Sequence, residues 1–201
     1  MVSWDERYAA GEYPSDPEPS PVLRHFVSTL PSGSALDIAA GTGRNALFLA
    51  EHNFEVDAID KSRIGLEQAR LAATQKSVNR HINWIHADVN EFTFPESRYD
   101  LITVSFYRML DRLTDIKAAL KDRGHLYLEH HLRSVEPTPS GPRSNQYRFG
   151  ANELLRACLD LTILYYDEST SYVDDNRARA NVRLFARKAN DSTQSYPPSI
   201  I

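Results

Sequence analysis

Cysteine is nearly absent from this chain, with Cys158 standing alone among 201 residues. One thiol excludes an intramolecular disulfide and a cysteine-built zinc site, and it suits a reducing compartment such as the cytoplasm. Long apolar runs are missing too: no stretch approaches the roughly 18 residues of a membrane span. The start MVSWDERYAAGEYPSD lacks the apolar core of a secretory signal. A soluble, cytoplasmic chain with no membrane partner is the expectation. Nor is charge of one sign concentrated anywhere. The 27 acidic and 23 basic residues leave a net charge of -4, with no basic block to neutralise a row of phosphates, so nucleic acid is not the expected partner. His25, His52, His81, His86 and His125 follow no ligand spacing such as H-E-x-x-H, which argues against a bound metal.

What is present suffices for one sizeable core, since 41% of the residues are hydrophobic. Residues 1–20 are polar and proline-rich, which opposes a regular element, yet they carry Trp4, Tyr8 and Tyr13 and read as an arm or lid. Ser20 then offers an N-cap with Pro21 at the first helical position, followed by Val22, Leu23, Phe26, Val27 and Leu30 at helical spacing. Beyond Ser34, short apolar runs alternate with helical patterns. ALDIA (35–39), EVDAID (55–60), INWIHA (82–87), DLITVSF (100–106) and HLYLEHHL (125–132) read as strands. RNALFLAEH, SRIGLEQARLAATQK and TDIKAALKD read as the helices between them.

Strands joined by helices imply parallel crossovers, because a tight hairpin cannot join parallel neighbours. The expected fold is α/β, doubly wound, with a mostly parallel seven-stranded Rossmann-like sheet and helices on both faces. SVEPTPSGPRSNQ reads as a long loop, and ANELLRACLD as a helix with Asn152 as its cap. LTILYYDES and ANVRLFARK are expected to pair antiparallel, because no helix-length pattern separates them. Residues 21–189 are expected to form one domain and 190–201 a disordered tail.

The segment D-I-A-A-G-T-G-R-N-A (37–46) carries the chemistry. Gly41, Gly43 and Ala46 satisfy the dinucleotide fingerprint G-x-G-x-x-A, and Asp60 lies where a ribose-binding acid belongs, so a nicotinamide-dependent oxidoreductase stays open. Three features weigh against it: an acid, Asp37, inside the first strand; another, Asp88, closing the third; and no second domain for a hydride acceptor. Each acid alone has a plain structural explanation as a helix or turn cap. Asp100, at the start of a strand, is expected to fix a neighbouring loop, and Cys158 to lie in the core.

Together these segments resemble the class I S-adenosylmethionine-dependent methyltransferases over residues 34–188. LDIAAGTGRN is similar to the family's first motif, AID ending at Asp60 to its second, HADV with Asp88 to its third, and YDLITVSF to its fourth strand. ANVRLFARK matches the closing antiparallel strand. Ala39 departs from the pattern, standing where the first glycine of the motif is common. G-T-G-R-N followed by ALFLA is most similar to the small tellurite-resistance and thiopurine-type branch.

The resemblance implies S-adenosylmethionine as cofactor. It is held at its methionine end by Asp37, Ala39, Gly41, Gly43 and Asn45, at the ribose by Asp60 with Lys61 beside it, and at the adenine by Asp88 with the backbone of Ala87 and Val89. Ser105 lies near the sulfonium. It also implies methyl transfer by in-line displacement to an acceptor at the ends of the fourth and fifth strands. Candidates there are Tyr107, His130, His131 and Arg148, histidine being the natural proton acceptor near neutral pH. His130 and His131 alternate faces, so one is expected at the crevice and the other against the core or a helix. A non-catalytic S-adenosylmethionine-binding module is the third alternative. The site after the fourth strand reads S-F-Y-R rather than the N-P-P-Y or D-P-P-Y of nucleic-acid amine methyltransferases, which favours a small-molecule acceptor.

Overall fold

The computed structural model describes residues 3–13, 18–135, 141–172, 177–189 and 196. Seven strands form one sheet: β1 (Ser34–Ile38), β2 (Glu55–Asp60), β3 (Ile82–His86), β4 (Tyr99–Ser105), β5 (Leu120–His131), β6 (Thr162–Tyr172) and β7 (Ala178–Arg187). Their order is β3-β2-β1-β4-β5-β7-β6. The first five strands run parallel, whereas β7 pairs antiparallel with both β5 and β6. The expected α/β class is therefore the observed one.

The central strands carry apolar residues on both faces because both faces are covered. On one face Leu23, Phe26 and Val27 of α2 (Pro21–Val27) and the apolar residues of α3 (Arg44–Glu51) pack on Ala35, Val56, Leu101, Tyr127 and Phe185. Ala72 and Ala73 of α4 (Arg63–Gln75) complete that layer. Phe26 stacks on Phe185 with ring centroids 4.1 Å apart. On the other face α5 (Leu113–Ala119) and α6 (Glu153–Ala157) bury Leu113, Ile116, Leu154 and Cys158 against Leu36, Ile102, Leu126 and Val182. Cys158 is thus core. Strand order reverses between β1 and β4, so the carboxyl ends of these two strands frame a crevice, the general ligand position of such sheets.

Several elements differ from expectation. The N-terminal arm contains a helix, α1 (Trp4–Ala9), despite its prolines. The Ser3 hydroxyl accepts a hydrogen bond from the Glu6 amide and the Glu6 carboxylate accepts one from the Ser3 amide, a capping box that fixes both ends of the first turn. β5 begins at Leu120, where helix had been expected to continue, because Arg123 takes φ +64° and lets Tyr99 pair with Leu120 before the regular register resumes. α6 is short. Asn152 is its cap by position only, with φ 57° and no side-chain hydrogen bond. Asp100 accepts from the Ser34 amide, the Ser34 hydroxyl and Lys121, tying the start of β4 to β1. The 190–201 tail lies outside the described residues except Tyr196. Among the described residues no helix is long and apolar enough to cross a membrane.

Candidate active site

The turn between β1 and α3 folds tightly because its backbone enters the left-handed region three times, at Ala39 (φ 56°), Gly41 (φ 56°) and Gly43 (φ 86°). Two buried carboxylates hold it there. Asp60, at the tip of β2, accepts from the Gly41 amide at 2.8 Å with one oxygen and from the Ser62 amide at 2.7 Å with the other. Burial pushes its carboxyl above the usual range, and the two amides pull against that shift. Asp37 accepts from the Thr103 hydroxyl (2.7 Å), the Ala46 amide (3.1 Å) and the Asn45 side chain (3.4 Å). Complete burial nevertheless raises its pKa to about 6.

Asp37 therefore closes the first turn of α3 and orders the glycine loop from inside. Asn45 also donates to the Ser105 hydroxyl at 3.0 Å, linking this loop to the tip of β4. Its carbonyl oxygen, Oδ1, is buried and has no partner within the protein. An orphaned acceptor of this kind is costly unless a ligand donor meets it.

α1 roofs the turn. Asp5 accepts from the Ser62 hydroxyl and the Ile64 amide at the head of α4, and Gln68 donates to the Tyr8 carbonyl. A methyl group added at Gly41 would lie 2.5 Å from the Tyr8 hydroxyl oxygen, so the buried Tyr8 ring rests directly on the loop. Trp4 and Tyr13 pack on that ring at 6.1 and 5.3 Å. Asp88 accepts from the amide and the side chain of Asn90, and Asn90 donates on to the Tyr107 hydroxyl. Lys61 is exposed, and its carbonyl contacts His86 Nε2. The Ala87 amide is used on the Asp60 carbonyl, and the Val89 carbonyl accepts from Arg112.

Beyond Ser105 lies a narrow apolar cleft at the tips of β4 and β5, with half-buried Tyr107 and the buried side chains of Met109, Leu113, His130 and Phe149 among its walls. His130 Nδ1 lies 3.3 Å from the His131 carbonyl. That oxygen can only accept, so the ring proton sits on Nδ1 and Nε2 keeps its lone pair. Burial lowers the pKa of His130 to about 4, so the ring is neutral at physiological pH.

His131 takes the opposite face. It contacts Asn181 through Nδ1, packs at a tilt against Phe106 with ring centroids 4.8 Å apart, and leaves no room for a side chain at Gly141. Arg148 is only 2% exposed and donates to the carbonyls of Pro142 and Leu132. Its guanidinium thereby ties Pro142 to the end of β5, and Arg148 is not among the residues that line the cleft described above. Glu129, with 5% exposure, accepts from Arg44, Arg183 and Tyr127, joining the first residue of α3 to β5 and β7. The roles of Asp5, Thr103 and Arg183 had no sequence signal beyond Asp5 following the Ser3 cap, because each acts across the fold.

The sheet order with its antiparallel final pair, and the glycine loop clasped by two acids, are similar to the arrangement of the class I S-adenosylmethionine-dependent methyltransferases. Residues 35–124 match the family model described as a methyltransferase domain. A probable thiol methyltransferase 2 of Arabidopsis thaliana is 30% identical over 103 residues, 49% of this chain and 45% of that protein. A ubiquinone/menaquinone biosynthesis C-methyltransferase of Xanthomonas oryzae is 30% identical over 105 residues, 49% of this chain and 41% of that protein. The matched stretch thus spans less than half of these relatives. Among solved structures, TehB from Haemophilus influenzae superposes with a TM-score of 0.74 at 18% identity, covering 92% of this chain and 66% of that one.

The residues present fit the cofactor of this class. The orphaned Asn45 Oδ1 is an acceptor for an ammonium group. The left-handed backbone at Gly41 and Gly43 admits close approach, and each Asp60 oxygen, with one amide bound, retains a lone pair for a sugar hydroxyl.

Proposed function

We propose that this chain transfers a methyl group from S-adenosylmethionine to a small-molecule acceptor bound in the cleft at the tips of β4 and β5. One observation carries this assignment: the cofactor loop and the apolar cleft meet on a single strand exit. Ser105 bonds Asn45 of the loop, and Tyr107, two residues on, lines the cleft. Two binding places so close suit direct transfer, where most of the catalytic gain comes from holding the partners in line. The relatives' names, a thiol and a quinone-pathway methyltransferase, support a small acceptor. The net charge of -4 gives nucleic acid no electrostatic foothold.

In this mechanism the cofactor, when bound, supplies a methyl group activated on a positively charged sulfur. The chain's own residues do the rest. Asn45 and the glycine loop bind the methionine end, Asp60 the ribose, and Asp88 with the backbone of Ala87 and Val89 the adenine. Tyr8 and α1 exclude water from above. His130 takes the acceptor's proton on Nε2, while His131 and Arg148 position the strand end and the loop. Residues 21–189 work as one unit with 1–20 as the roof, and the single buried Cys158 suits a reducing cytoplasm.

Titration calorimetry with S-adenosylhomocysteine and with NADH tests this assignment. Heat with the first alone, lost in Asp60→Ala, is expected. Heat with NADH, or an unchanged response in Asp60→Ala, refutes it.

A further inference from the structure

The segment that follows β3 has no ladder to hold it. Residues 87–92 belong to neither strand nor helix, so their carbonyl groups find no partners in regular structure. One side chain serves three of them. Arg112 ends the short 3-10 turn Leu110–Arg112 beyond β4. Its Nη1 donates to the Val89 carbonyl at 2.8 Å and to the Asn90 carbonyl, and its Nη2 to the Phe92 carbonyl at 2.8 Å. Its Nε donates to Asp115 of α5 at 2.8 Å, and its guanidinium carbon lies 5.0 Å from the centre of the Phe94 ring. Val89 and Phe94 are buried. Only a planar fork can gather carbonyls spread in this way, since a lysine ammonium is a single point of charge.

The clamped turn keeps one polar group in reserve. The Glu91 amide closes the turn on the Asp88 carbonyl. Asp88 Oδ1 accepts from both the amide and the side-chain nitrogen of Asn90, each at 2.9 Å. No donor among the described residues reaches its other oxygen, Oδ2. The Asn90 side chain is tethered in turn, because its nitrogen also donates to the Tyr107 hydroxyl at 3.1 Å. Two residues from beyond β4, Tyr107 and Arg112, thus fix the turn that carries the free carboxylate oxygen.

Resting on the methyltransferase reading above, which gives the adenine to Asp88, we propose that Arg112 is a positioning residue for recognition of the cofactor's base. Arg112 acts through the backbone of residues 89–92, and holds Asp88 so that Oδ2 accepts from the exocyclic amino group of the adenine. A base with a carbonyl oxygen in place of that amino group is rejected, because two oxygens then face each other with no proton between them. The chain leaving β4 thereby sets which nucleoside the tip of β3 admits.

The test is calorimetric titration of the full-length protein with S-adenosylhomocysteine and with S-inosylhomocysteine, in which an oxygen replaces the purine amino group. Wild type is expected to bind the adenine compound at least about tenfold more tightly, the worth of one hydrogen bond to a charged acceptor. Arg112→Lys keeps the charge and loses the fork, and should bring the two affinities to within about twofold of each other. Asp115→Asn disturbs Nε alone and should keep the wild-type ratio. A general loosening of the fold weakens both ligands together and leaves the ratio where it was.

A second measurement needs no variant. By linkage, adenine must tighten the clamp as much as the clamp favours adenine. S-adenosylhomocysteine should therefore slow exchange of the Arg112 Nη protons with solvent, followed by nitrogen-15 NMR, and S-inosylhomocysteine at equal saturation should not. A wild-type affinity ratio near one, a ratio unchanged in Arg112→Lys, an equal fall in Asp115→Asn, or proton exchange that both ligands affect alike overturns the proposal. If S-adenosylhomocysteine still gives heat with wild type in those cases, only the role of Arg112 falls. If it gives none, the methyltransferase assignment falls and takes this one with it.

Discussion

Ala39→Gly should make the protein more stable. Ala39 occupies φ 56°, where an L side chain suffers contact with the following carbonyl. The left-handed conformation costs a non-glycine residue about 1–2 kcal/mol. Against this gain, glycine loosens the unfolded chain by about 0.4–1 kcal/mol, and removing a half-buried methyl forfeits about 0.4 kcal/mol of apolar burial. The balance is a stabilisation of roughly 0.5 kcal/mol, a rise of about 1–2 °C in Tm for a domain of this size.

The companion substitution sharpens the argument. Ala39→Val places a β-branched side chain in the same left-handed position and should destabilise by about 2 kcal/mol or more. Urea melts with an unchanged m-value, read beside calorimetric Tm values, measure both. If glycine lowers stability by more than about 0.5 kcal/mol, or if valine is tolerated as well as alanine, the strain assigned to this turn does not exist.

Asp37 is raised to about pKa 6 by burial, so the folded state holds its proton longer than the unfolded state does, and through this group stability falls as pH rises from about 4 to about 6. Asp37→Asn should flatten that segment of a plot of urea midpoint against pH, and a segment unchanged from wild type would contradict the assignment. His125, His130 and His131 behave in the opposite sense. Each is lowered by burial to about 4, so the unfolded state takes protons first and stability falls as pH drops from about 6.5 to about 4. His130 is faced by Arg108, Arg148, Glu129 and His131, and His130→Gln should reduce the acid slope by up to about 1.4 kcal/mol per pH unit, a change that potentiometric proton counts during unfolding would detect or deny. Glu129→Gln leaves Arg44 and Arg183 facing each other without their shared carboxylate. A loss of about 3 kcal/mol and weaker S-adenosylhomocysteine binding should follow, and a melt indistinguishable from wild type would show that the network is idle.

How far these features could be foreseen depends on whether they are local. EVDAID reads as a strand because its apolar residues meet both covered faces, and β2 occupies those residues. α1 was hidden because the prolines that follow it dominate the composition, although the capping pair Ser3 and Glu6 lies only three residues apart. β5 was cut short because Lys121, Asp122 and Arg123 break the apolar alternation at a bulge. The Arg44–Glu129–Arg183 network joins residues 85 and 54 positions apart, and no local pattern announces such a meeting.

The acids of the crevice show a second limit, which concerns capacity rather than position. Residue type and spacing bring Asp37 and Asp60 to neighbouring strand tips, but a carboxylate can serve a ligand only with the lone pairs the protein has left it. Asp60 binds one amide per oxygen and keeps capacity on each. Asp37 is surrounded by Thr103, Asn45 and Ala46 and sits at 2% exposure, so its charge reaches a ligand only through what it orients. What it orients is Asn45, whose amide nitrogen it fixes and whose carbonyl oxygen is thereby turned away with nothing to accept. On the proposed assignment, the acceptor offered to the cofactor's amino group is an asparagine carbonyl aimed by Asp37. It follows that Asn45→Asp should weaken S-adenosylhomocysteine binding despite adding a negative charge, because two buried carboxylates would then repel across the 3.4 Å now bridged by a hydrogen bond.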